Sequence, residues 1–207
     1  RGFLFVPVGV GTGVFVFDLN VAGTPPGPGV YAANLTAQKL LNTRTFQAQC
    51  RKQQTGNVLF CGATNGDVVA IDLTNGNTLG TTNVGGSVQS ISTLASSFNG
   101  DIIYTTRSGT IGRLNFTAGA FTGVWGPSTI TGATVLSPAT SVGSGLYVGA
   151  NGPTTARLYK LNIGNGSVLD NRSLVSTGAV GAVGVDAFQN RLAATTAAGA
   201  IWSFPTF

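Results

Sequence analysis

The chain has 207 residues, 43% hydrophobic and only 8% charged, and its eleven Lys and Arg against six acids give a formal net charge of +5. That length and apolar content suit one well-buried domain over residues 1–207, and low charge combined with so much apolar residue is not the composition of a disordered chain. Histidine, glutamate and methionine are absent and every acid is an aspartate, which excludes Ser-His-Asp and Cys-His catalysis and imidazole metal clusters.

Phe3 to Val8 and Val14 to Leu19 read as the first hairpin, closing on Asp18-Leu19. Their cores, Phe3-Leu4-Phe5-Val6 and Val14-Phe15-Val16-Phe17, barely alternate. Strands apolar at consecutive positions belong where both faces are buried. Residues 21–29, Val-Ala-Gly-Thr-Pro-Pro-Gly-Pro-Gly, form an irregular loop, because three prolines there cannot donate to a ladder. Val30 to Phe46 competes as a third strand of this first unit, since Ala32-Ala33-Asn34-Leu35-Thr36 aligns with Ala70-Ile71-Asp72-Leu73-Thr74.

Cys50 and Cys61, the only cysteines, flank the polar loop Arg51 to Asn57. They fall on the two arms of one hairpin and pair as a structural disulfide; a metal site lacks further ligands and a redox pair lacks the Cys-x-x-Cys spacing. A disulfide points to an oxidising compartment.

From Val58 onward the chain repeats. Apolar runs Val58 to Cys61, Ile102 to Tyr104 and Leu146 to Val148 each precede a turn and a second apolar run, Val68 to Ile71, Ile111 to Leu114 and Leu158 to Leu161. The pair Asp72-Leu73 returns as Asn115-Phe116, Asn162-Ile163 and Pro205-Thr206, at steps of 43, 47 and 43 residues. A period near 40 to 45 residues is that of propeller blades. Gly66, Gly109 and Gly199 each lie six residues before a mark, inside a tight turn, and residues 153–156 make the longer step as a turn insertion. The small, polar stretches Ser87 to Leu94, Thr134 to Thr140 and Ala179 to Val185 are read as innermost strands. Asn77 to Val84, Ala120 to Trp125 and Ser167 to Leu174 are read as outer strands.

These elements predict an all-β propeller of about five four-stranded antiparallel blades. Nothing resembling an innermost strand precedes Phe3 and nothing resembling an outer strand follows Phe207, so the ring is expected to be open or closed by another segment or a partner's strand. The start at Arg1, without Met or an apolar leader, reads as a processed secretory protein or part of a longer chain. No apolar stretch reaches the length of a membrane span. The basic residues are scattered, with only Arg51-Lys52 adjacent, which reads as a solvated face and not as a nucleic-acid stripe.

Four Asn-x-Ser/Thr acceptors without proline are present, at Asn34, Asn115, Asn165 and Asn171. Asn34 and Asn115 share a repeat position and Asn165 lies in the corresponding turn, so these three are expected at an exposed outer rim as N-glycan sites. The plainer alternative is asparagine as a turn residue. Six aspartates could supply a glycosidase pair, but Asp18 and Asp72 sit at equivalent turns, where aspartate caps its own backbone. Trp125 and Trp202 could stack on a sugar, although a propeller core also buries tryptophan between blades.

The run Gly66-Asp67-Val68-Val69-Ala70-Ile71-Asp72-Leu73-Thr74-Asn75-Gly76-Asn77-Thr78-Leu79 resembles the repeat of quinoprotein-dehydrogenase-like propellers, a glycine-led strand running into Ala-x-Asp-x-x-Thr-Gly and an outer strand. The likeness extends loosely over Val30 to Leu41, Thr110 to Trp125 and Leu158 to Leu169. It implies the fold and brings no cofactor: the outer-strand tryptophan appears only at Trp125, and no quinone or calcium site is carried over. The expectation is a secreted, glycosylated, non-catalytic module of an extracellular or cell-surface structure such as a filament, with protein partners or self-assembly. A lectin-like binder of carbohydrate or protein, and an aspartate-dependent carbohydrate enzyme, are the rivals.

Overall fold

The computed structural model describes residues 3–7, 14–18, 38–40, 44–46, 48–98, 100–151, 155–175, 178–186 and 188–207. The loop at 21–29 and the acceptor Asn34 lie outside the described residues. Five antiparallel sheets follow one another along the chain. Sheet one is β1 (Phe3–Pro7), β2 (Val14–Asp18) and β3 (Gln38–Leu40), in that order. The hairpin reading holds, with β2 in the place that β6 takes in sheet two and β3, inside Val30 to Phe46, following it as the outer strand; the aligned run Ala32 to Thr36 lies outside the described residues.

Sheet two is β4 (Arg51–Lys52), β5 (Val58–Gly62), β6 (Asp67–Asp72) and β7 (Thr78–Asn83). Sheet three is β8 (Val88–Thr93), β9 (Ile102–Thr106), β10 (Thr110–Thr117) and β11 (Ala120–Thr129), with one turn of 3-10 helix at Ser96–Phe98. Sheet four pairs β12 (Val135–Leu136) and β13 (Thr140–Val142) with β14 (Gly145–Asn151), followed by β15 (Ala156–Asn162) and β16 (Val168–Ser173). Sheet five is β17 (Gly184–Asp186), β18 (Arg191–Thr195) and β19 (Ile201–Pro205).

Four strands per blade thus hold in sheets two and three. Sheet four breaks its inner strand at Pro138, which has no N–H to give the ladder. There Ser137 substitutes, its hydroxyl accepting the Gly149 N–H and its own N–H donating to the Gly149 carbonyl. Among the described residues sheets one and five carry three strands each, and the ring of sheets is not closed. No helix among the described residues is long and apolar enough to cross a membrane.

The cores lie between the sheets. Strand alternation sends successive residues to opposite faces, and both faces find an apolar neighbour. In β5 and β6, Leu59, Cys61, Val69 and Ile71 face sheet one, whereas Phe60, Val68 and Ala70 face sheet three. Sheets three and four enclose Ile103, Ile111, Leu146, Val148 and Leu161; sheets four and five enclose Tyr147, Leu158, Leu192 and Ala194. This is why the strand sequences are nearly continuous in apolar residues. Where an inner strand presses on the sheet before it, glycine is required: a Cβ on Gly62 would overlap Val88, and one on Gly149 would overlap Val180.

Candidate functional site

Cys50 stands just before β4, opposite Cys61 on β5, and the two are disulfide-bonded with their Cα atoms 4.4 Å apart. Both are buried in the cluster between sheets one and two. Among the described residues the inner strand of sheet two is held to its neighbour by the Phe46–Ala63 bridge, the short β4 pairing and the Gln53 N–H to the Val58 carbonyl, and the covalent bond reinforces this short ladder. Closing a loop of this length contributes about 2 to 3 kcal/mol.

The three described acceptor asparagines occupy different environments. Sheets two and four turn from their third to their fourth strand in the same way. Asp72 and Asn162 accept from the Thr74 and Gly164 N–H, Asn75 and Asn165 accept from the Asn77 and Ser167 N–H, and Gly76 and Gly166 take positive φ. Asn165 is exposed in this turn and Ser167 beside it is exposed as well. Asn115 is different, because β10 and β11 close on the two-residue turn Ala118-Gly119, φ 53° and 83°, and the ladder runs past it, pairing Asn115 with Thr122. It is half-buried; its Nδ2 donates to Asp101 at 2.6 Å and its Oδ1 accepts from Thr117 at 2.7 Å. Asn171 is half-buried in β16, where its Oδ1 accepts from Arg157.

Each aspartate whose side chain is described, Asp67, Asp72, Asp101, Asp170 and Asp186, is bonded to its own set of neighbours. Asp67 accepts from Arg44 at 2.6 Å, from Asn83 at 2.9 Å and from Asn65 at 3.0 Å. Burial pushes its pKa up, but the hydrogen bonds from Arg44, Asn83 and Asn65 and the Arg44 charge outweigh burial and hold it below the usual 3.8. Asp72 caps its turn, Asp170 pairs with Arg172, and Asp186 accepts from the Phe188 and Gln189 N–H.

Asp101 and Arg113 form a buried ion pair at 2.8 Å that the sequence reading did not single out. Arg113 also donates to the Ile163 carbonyl of sheet four at 3.0 Å, and Trp125 donates its indole N–H to the same oxygen at 2.9 Å. An arginine inside the apolar run Ile111 to Leu114 was the one available signal. Trp125 packs on the core between sheets three and four and against Gly166; Trp202 packs with Phe204 in the core between sheets four and five. Both therefore take the interblade position and not that of a sugar platform.

No protein-family model matches the chain, and no curated protein matches it. Solved structures do. BamB from Moraxella catarrhalis is similar over 98% of this chain and 57% of its own, at 17% identity and TM-score 0.62. A chain of the Mitotic Checkpoint Complex matches over 96% of this chain and 58% of its own, at 17% identity and TM-score 0.69. The Cps50 (Swd1) β-propeller domain of Myceliophteria thermophila matches over 94% of this chain and 58% of its own, at 14% identity and TM-score 0.66. At these identities the likeness is one of fold, and the fold is the β-propeller. The chain spans a little over half the length of these structures.

Proposed function

We propose that the chain is a secreted, N-glycosylated β-propeller module that contributes structure or recognition, not catalysis, to an extracellular or cell-surface assembly. The observation that carries this reading is the Cys50–Cys61 bond, sealed between two sheets and joining the only two cysteines of the chain. Such a bond persists in oxidising compartments. The low charge leaves a surface of Ser, Thr, Asn and Gly, which suits a glycosylated exterior. The aspartates whose side chains are described support a non-catalytic role, since each caps a turn or is held by an arginine or amide donor. One of the similar chains comes from a structure described as a complex, which supports an assembly role.

Of the four acceptors, Asn165 is the primary glycan site: it is exposed, and the turn engages its Oδ1, not its Nδ2. Asn171 ranks second and Asn34 is retained from the sequence. At Asn115 the nitrogen that would carry the sugar points at the buried Asp101 carboxylate, so this site stays unmodified in the folded protein. The test is secretion from eukaryotic cells behind a signal peptide, followed by glycopeptide mapping and thiol alkylation. The expected result is glycan at Asn165, none at Asn115, and no free thiol. An unmodified product with two alkylatable cysteines would overturn the reading.

A further inference from the structure

We propose that the open face of sheet five docks sheet one of a second copy of this chain, so that copies associate head to tail. The inference rests on the assembly part of the reading above and is independent of secretion and glycosylation. It comes from one register position. Counting back four residues from each repeat mark gives Val14, Val68, Ile111, Leu158 and Ile201. This is the position that faces the following sheet. The first four are 0% exposed, and Ile201 is 78% exposed.

The same face of sheet five carries Ala193, Thr195 and Ser203 beside Ile201, all exposed. Ala193 occupies the position filled by Phe60, Ile103 and Tyr147 in the three preceding sheets, each of which is buried against its neighbour. Arg191 lies on the same face, its Nε donating to Ser203 Oγ at 2.8 Å, so sheet five offers small side chains around one exposed isoleucine with a guanidinium at one edge. A partner that fits it must bring bulk.

Sheet one is that partner by continuity. At each of the four internal junctions the onward face of one sheet meets the backward face of the next. In β2, Phe15 and Phe17 hold the register positions of the backward-facing residues Val69 and Ile71 in sheet two, Tyr159 and Leu161 in sheet four, and Trp202 and Phe204 in sheet five. The sequence thus places large aromatic residues at the backward register positions of sheet one, and Ala193, Thr195 and Ser203 around Ile201, with Arg191 at the edge, at the onward positions of sheet five. Such a contact is heterologous, with different surfaces on the two copies, and it propagates into a ring or a filament.

The test is sedimentation velocity of the oxidised 207-residue chain over a dilution series, comparing wild type with Ile201→Asp and Val124→Asp. Val124 is an exposed apolar residue on the outer strand of sheet three and serves as the control. Because Ile201 is exposed, its substitution leaves the monomer folded, which circular dichroism checks. Wild type and Val124→Asp are expected to associate alike, and Ile201→Asp at least about tenfold more weakly. In parallel, a photocrosslinking benzophenone side chain at position 201 should capture peptides from residues 3–18 of a second copy. A wild type that stays monomeric to its solubility limit, an association untouched by Ile201→Asp, or crosslinks that map to sheet five itself would each overturn the proposal. None of these outcomes depends on glycan occupancy or on the compartment.

Discussion

Sheets four and five are built on the same strand unit and even share a core, yet one is covered on both faces and the other on one. In sheet four, β14 is buried from Gly145 to Ala150; in sheet five, β18 alternates strictly between exposed and buried. The backward residues agree: Leu146 and Leu192 are equivalent and both fully buried. Only the onward residues differ. A propeller blade therefore has no core of its own, and the stability of a strand is set by what stands on either side of it.

Substitutions at matched positions should expose this asymmetry. The largest effect belongs to Arg113→Leu, which leaves the buried Asp101 without its cationic partner and with the Asn115 amide still donating to it, and should cost about 3 to 5 kcal/mol in a denaturant titration. Its register equivalent in sheet five is Ser203, an exposed residue whose replacement by Leu should stay within about 0.5 kcal/mol. Next, Leu158→Ala removes a fully buried side chain from the junction of sheets four and five and should lose about 2 to 5 kcal/mol. Ile201→Ala, four residues before the next mark, should cost the monomer about 0.5 kcal/mol or less. Equal losses at Leu158 and Ile201 would break the comparison.

Gly149→Val tests the close approach of the sheets and not the burial. Its side chain would collide with Val180, so a loss of about 1 to 3 kcal/mol is expected. Thr195→Val, at the same position in sheet five, meets no following sheet and should be nearly silent. The smallest effect concerns acid. The pKa of Asp67 is lower in the folded chain than the ordinary 3.8, so its contribution is full above the unfolded value and is lost as pH falls through the folded one. Thermal unfolding in acid should show a shallower decline for Asp67→Asn than for wild type, and identical slopes would remove Asp67 from the acid limb.

Much of this architecture was legible because it depends on local pattern. The apolar pairs Val58 to Cys61 with Val68 to Ile71, and Ile102 to Tyr104 with Ile111 to Leu114, lie in β5, β6, β9 and β10. Continuous apolar residues on both strand faces pointed to neighbours on both sides, which is what the clusters between sheets show. Features that depend on hairpin length or on distant partners were not legible. Asn115 and Asp72 align in sequence, but a two-residue turn in sheet three replaces the five-residue connection of sheet two, and Asn115 moves from the turn into the ladder. The Asp101–Arg113 pair joins residues twelve apart and ends on a carbonyl of another sheet, so no local spacing encodes it. The exposure of Ile201 was hidden for the same reason: its own sequence matches that of its buried equivalents.

Native-state hydrogen exchange on the monomer reads the central claim sheet by sheet. If the cores lie between sheets, amides of β14 and β15 should exchange only through global unfolding, while those of β18 and β19 exchange through a smaller, separate opening. Protection in sheet five equal to that in sheet four, at concentrations where the chain is monomeric, would contradict it.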